Sequence, residues 1–75
     1  MAVGRVSHRM RIMLNGDPFT VENPTTIAGL LAELNIDARR VAVERNCEIV
    51  KRDRYAATAI ADGDQIEIVN FVGGG

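Results

Sequence analysis

The chain has 75 residues, 47% hydrophobic and 25% charged, with one Cys, no Trp and a formal net charge of −1. That length holds one small domain without a second core, and it does not easily enclose a deep substrate pocket, which favours a carrier or binding module over an autonomous enzyme. Nine basic against ten acidic residues give no excess for gripping nucleic acid. No apolar window approaches the roughly 18 residues that span a bilayer, and one Cys excludes an internal disulfide or multi-Cys metal site and fits a reducing cytosol.

Residues 1–9 have no hydrophobic period and no apolar run of signal-peptide length. They read as a flexible leader. Its lone His8 has no second metal-ligand candidate nearby. From Met10 the chain alternates. Met10, Ile12 and Leu14 point one way, Arg11 and Met13 the other, as in a strand with one buried face. Asn15-Gly16 is a strong hairpin signal. Asp17-Pro18 extends the turn, and Phe19-Thr20-Val21 resumes extended structure.

Asn23-Pro24 breaks that strand. Thr25 or Thr26 can cap a helix. Ile27, Leu30, Leu31 and Leu34 then fall on one helical face. Gly29 within it suggests close packing on the sheet, and Asn35 suits a left-handed stop. Val41-Ala42-Val43 is a third strand, Asn46-Cys47 a turn, and Glu48-Ile49-Val50 a short strand after it. Residues 51–61 read as irregular, with Tyr55 anchored in the core. Asp62-Gly63-Asp64 is a turn, and residues 65–72 form the longest extended run.

The predicted order is ββαββ with a small segment between strands three and four and a last strand near the C-terminus, a mixed sheet with one face covered by one helix, in the α+β class. The last strand should pair parallel with the first and lie centrally, which suits its apolar length. The domain would run over residues 10–72, followed by a flexible Gly tail at 73–75.

The sequence ends Val72-Gly73-Gly74-Gly75. Three glycines add nothing to a core, so a frayed end is one reading. The other makes the Gly75 carboxyl the reactive group. Without Cβ atoms, such a tail can thread a narrow tunnel in another protein. A carboxylate needs activation, which attack on the α-phosphorus of ATP provides. A persulfide or thiolate can then displace AMP.

Residues 10–75 resemble the ThiS family of small sulfur carriers. The resemblance rests on Leu14-Asn15-Gly16, on Val43-Glu44-Arg45-Asn46 with Glu48-Ile49-Val50, and on the run from Asp62-Gly63-Asp64 to the terminal glycines. It implies a β-grasp, ubiquitin-like fold. It also implies that an E1-like enzyme, using ATP and Mg2+ that it binds itself, adenylates the Gly75 carboxylate. Conversion to a thiocarboxylate would follow, with sulfur from a cysteine desulfurase persulfide, and then donation to thiazole synthase. The carrier would be a cytoplasmic co-substrate, monomeric when free, with no cofactor of its own. The nearest rival is the small subunit of molybdopterin synthase. Other ubiquitin-like sulfur carriers, or a non-covalent β-grasp interaction module, are further readings.

On the last strand, Ile66 and Ile68 should face the helix, leaving Val69 and Phe71 on the outer face. Met13 and Ala42 should join them, forming a docking patch just before the tail, with Phe71 as its anchor. Cys47 reads as an incidental turn thiol, since no adjacent His lowers its pKa. Glu44, Arg45 and Glu48 read as solvated surface. Asp62 and Asp64 read as turn chemistry, too few for a metal.

Overall fold

Two short turns start the architecture. The computed structural model of the chain describes residues 9–71. In it, Asn15 and Gly16 take φ of 51° and 84°, the two positive values that a two-residue hairpin turn of matching twist requires. They join β1 (Met10–Leu14) to β2 (Asp17–Val21). Asp17 and Pro18 therefore belong to the strand, not to the turn as the sequence suggested. Pro18 is tolerated because β2 is an edge strand, where a missing N–H disrupts no ladder. Asn46 and Cys47, at φ of 53° and 71°, repeat the device between β3 (Val41–Arg45) and β4 (Glu48–Val50).

One helix, α1 (Ile27–Glu33), lies between the hairpins. Thr26 is its cap, with Oγ1 accepting from the Gly29 N–H at 3.1 Å. The next donors are met from outside, Ile27 by the Thr58 carbonyl at 2.9 Å and Ala28 by that of Tyr55 at 3.0 Å. Asn35 at φ 59° ends the helix. Ile36 N–H reaches back to Leu31 O and Asn35 N–H to Ala32 O, the paired closure that satisfies the last carbonyls. Gly29 does not serve sheet packing. A Cβ there would collide with Thr25 Oγ1.

The last strand, β5 (Gln65–Asn70), enters the middle of a five-stranded sheet of order β2-β1-β5-β3-β4. It runs parallel to β1 and antiparallel to β3. Ile12, Val21, Leu30, Leu31, Val43 and Ile66 are among the residues that form the core between this sheet and α1. The irregular segment after β4 contains a single 3-10 turn (Arg52–Arg54). Tyr55 anchors it, buried with its hydroxyl 3.3 Å from the Val41 carbonyl.

Side chains extend the grip on β5 beyond its backbone ladders. Its parallel pairing with β1 has two residue pairs, Met13 with Gln65 and Leu14 with Ile66. Asn15 then continues the pairing past the end of β1. Its Oδ1 accepts from Ile68 N–H at 2.7 Å and its Nδ2 donates to Ile68 O at 3.2 Å, as a backbone residue would. Asn46 does the same at the strand's start, accepting from Gln65 N–H at 2.9 Å and donating its own N–H to Gln65 O at 2.7 Å.

Just before β5, Asp64 is buried at 5% exposure. Its carboxylate accepts from Arg45 Nε and Ala61 N–H, each at 2.8 Å, and from Asn46 Nδ2 at 3.0 Å. Arg45 is thus an ion-pair partner across the sheet rather than part of a solvated charged surface. Burial alone pushes the Asp64 carboxyl upward. The Ala61 N–H, the Arg45 guanidinium and the Asn46 amide outweigh it, so the group titrates below the usual carboxylate range. Asp62 is simpler. Its Oδ1 accepts from Arg11 N–H at 2.8 Å, and Gly63 at φ 86° turns the chain there.

A carboxyl with a depressed folded pKa stabilises above its unfolded value and loses that stabilisation as pH falls through the folded value. Stability should hold from neutral pH to about 5 and decline below about 4. Asp64→Asn should cost about 2–3 kcal/mol at pH 7 and less at pH 3. Urea midpoints at the two pH values check this, and an equal loss at both would refute the charge-based account. Asn15→Gly keeps the turn geometry but removes both side-chain bonds. It should speed exchange of the Ile68 amide by about tenfold, or roughly 1.4 kcal/mol, as hydrogen exchange would show.

Candidate functional site

The sheet has one covered face and one open face, and strand alternation decides which residues reach the open one. Ala42 on β3 lies directly opposite Val69 on β5. Phe71 follows on the same side. Its N–H donates to the Arg40 carbonyl at 2.9 Å, so extended pairing continues one residue beyond β5. Val69 is 57% exposed and Phe71 58%. Ala42, Val69 and Phe71 therefore form one apolar patch at the end of β5 that leads to the glycines. Gly73, Gly74 and Gly75 lie outside the described residues.

Met13 shares the face but not the patch. It pairs with Gln65, four residues before Val69, which places it about 13 Å away along the strand. Glu67 stands between, directly across from Glu44. The open face thus has an apolar end at Phe71, an acidic middle, and Met13 at the far end. Ile49, opposite Glu44 on β4 and 76% exposed, also belongs to it. Sequence reading missed Ile49. The alternation of Glu48-Ile49-Val50 is visible, but only the register with β3 shows that Val50 packs inward and Ile49 outward.

The backbone that holds Phe71 is itself braced. A 3-10 turn (Ala38–Arg40) precedes β3, capped by Asp37. Asp37 Oδ1 accepts from Arg39 N–H at 2.9 Å and from Arg39 Nε at 3.1 Å, while Oδ2 takes Arg39 Nη2 at 3.1 Å. Arg40 Nε lies 3.7 Å from the same carboxylate. The side-chain bonds from Arg39 hold the Asp37 carboxyl down at about 2, helped by the Arg39 N–H. The same pairing raises Arg39 above its usual value. Both arginines flank the carbonyl on which Phe71 hangs.

Cys47 is exposed in the β3–β4 turn. Its neighbour Asn46, not the thiol, makes the contacts to β5. At the other terminus Arg9, counted in the leader, is exposed, with Nε 3.2 Å from Glu22 Oε1. The rest of the leader, His8 included, lies outside the described residues. No helix among the described residues is long and apolar enough to cross a membrane.

Comparison with known proteins bears on both the fold and the tail. A family model for the ThiS family matches residues 9–75. The sulfur carrier protein ThiS of Bacillus subtilis is 45% identical over 65 residues, covering 85% of this chain and 98% of its own. The thiazole synthase of Paramagnetospirillum magneticum is 48% identical over 66 residues, or 88% of this chain. The chain spans only 20% of that protein's length. Among solved structures, the thiamine biosynthesis protein ThiS of Geobacter metallireducens superposes with a TM-score of 0.78 at 38% identity, covering 88% of this chain and 100% of its own. Its five-stranded mixed sheet on one helix is that ubiquitin-like β-grasp fold, and the chain belongs to the ThiS family.

Proposed function

We propose that this protein is a sulfur carrier of thiamine biosynthesis and that the Gly75 carboxylate carries the sulfur. Two observations support the reading together. The family match runs through Gly75, so the glycine tail is part of the shared pattern. The structure braces β5 with side chains near both ends and leaves an open apolar patch where that strand leads to the tail.

The chemistry follows from the group. The carboxylate attacks the α-phosphorus of ATP in an E1-like partner, releasing pyrophosphate and forming an acyl adenylate. Mg2+ and ATP are bound by that partner. The terminal sulfur of a cysteine desulfurase persulfide displaces AMP, and thiol cleavage of the resulting acyl disulfide leaves a thiocarboxylate. Thiazole synthase then receives the sulfur. The carrier catalyses no step. It is a cytoplasmic co-substrate that is regenerated in each cycle. The similarity to thiazole synthases favours the thiazole route over a molybdopterin one.

The open patch of Ala42, Val69 and Phe71 is where the activating enzyme docks. A braced strand presents the patch in a fixed place, so binding does not also have to order it. Met13 lies at the far edge of the same footprint.

Intact mass after incubation with ATP, the activating enzyme and a sulfur source should rise by the difference between one sulfur and one oxygen, located by fragmentation to Gly75. An unchanged mass, or sulfur found on Cys47, would overturn the proposal. Phe71→Ala should slow adenylation by about tenfold or more. Its melting temperature should stay near that of the parent, because Phe71 is not in the core. Met13→Ala should have a smaller effect, which the same pyrophosphate-release assay measures.

A further inference from the structure

The two hairpins share a geometry but leave different edges. In each, the residues flanking the two-residue turn are paired, Leu14 with Asp17 and Arg45 with Glu48. In a hairpin of this kind the flanking pair exchanges hydrogen bonds and the next pair does not. That next pair is Met13 with Pro18, and Glu44 with Ile49. The backbone polar groups of Pro18 and Ile49 therefore point away from the sheet, at its two opposite edges. On β2 the outward residue next to the turn is a proline and offers no donor, and the next outward residue is Thr20, opposite Arg11. On β4 the outward residue next to the turn is Ile49, with both N–H and C=O, on a side chain 76% exposed.

Edges are usually blunted against pairing with other chains, by proline, by charge or by shortness. Pro18 does this for the turn end of β2. β4 is short but has no proline. Beside it lies a groove of about 320 Å3, lined among others by Glu48, Ile49, Val50, Lys51, Arg54 and Thr58. Among the described residues, Glu48 is the only carboxylate lining it. Neither Lys51 nor Arg54 forms an ion pair with another described residue. The groove is thus cationic although the chain as a whole is slightly acidic.

The pleat specifies what fits. Glu48 and Val50 face the helix side, and Ile49 faces the open side. A strand added beside β4 shares that alternation, since directly opposed residues lie on one face. The residue opposite Ile49 would lie on the open face, in apolar contact. Of its two neighbours on the groove side, one would lie opposite Val50, in reach of Lys51 and Arg54, and the other opposite Glu48, where a carboxylate is disfavoured.

We propose that the β4 edge accepts an extended segment of a partner protein, with an apolar residue against Ile49 and a carboxylate opposite Val50 directed at Lys51 and Arg54. Main-chain bonds to Ile49 N–H and C=O provide attachment, and the charges provide selectivity. The surface is separate from the Phe71 patch and does not depend on the chemistry of Gly75.

The test uses the full-length 15N-labelled chain and a capped glutamate–valine peptide, Ser-Ser-Val-Glu-Ser, and its lysine–valine counterpart Ser-Ser-Val-Lys-Ser. Amide shifts should concentrate at residues 48–51 and be weakened by salt, since exposed charges are screened. Lys51→Glu combined with Arg54→Glu should raise the Kd by about tenfold or more. Ile49→Pro, which copies on β4 what Pro18 does on β2, should abolish binding while the remaining spectrum reports an intact fold. The matching lysine–valine peptide should not bind. The proposal is overturned if millimolar glutamate–valine peptide leaves residues 48–51 unshifted or if charge reversal has no effect. Equal binding of the lysine peptide, or tighter binding of oligothymidylate at the same groove, overturns it as well.

Discussion

The molecule depends on how its last strand is held. β5 reaches the centre of the sheet, yet its parallel ladder to β1 is only two residues long. A strand gripped so briefly on one side would fray where the chain runs on toward the glycines. Asn15 supplies the missing rungs with a side chain in place of a backbone, and Asn46 does so near the opposite end. Both asparagines can do this because they sit at positive φ in turns, a conformation that asparagine tolerates better than most residues. Each turn therefore has two roles, reversing a hairpin and clamping the central strand.

Asp64 reinforces the second of these clamps. A buried carboxylate is costly unless its lone pairs are met. Here a guanidinium, an amide and a backbone N–H meet them. The Arg45 and Asn46 that serve Asp64 belong to the end of β3 and the following turn, so the network couples the second hairpin to the entrance of β5. With Asn15 holding the strand from the first hairpin, β5 has a fixed place relative to both. That rigidity favours binding at the open face, because ordering a presenting surface on contact would weaken it.

The two faces of the sheet divide the labour. The helix side holds the core, and the open side has its apolar end at Phe71 and its acidic middle at Glu44 and Glu67. The two hairpin edges differ beside their turns, with Pro18 on β2 and Ile49 on β4. A domain this small has few surfaces, and most of them are distinguishable by strand register alone.

The order of elements, the helix stop at Asn35, the hairpin at Asn15-Gly16 and the central placement of β5 could all be read from residue patterns. Each depends on local chemistry or on hydrophobic period, which neighbours in the chain express directly. The glycine tail was equally plain, since it is a run of one residue type. Tertiary structure decided what depends on distance between remote residues. It paired Arg45 with Asp64, nineteen positions apart, and made Asn15 a partner of Ile68, fifty-three positions away. It separated Met13 from Phe71 and brought Ile49 onto their face, because register, unlike alternation, is set by how strands align and not by what either one contains.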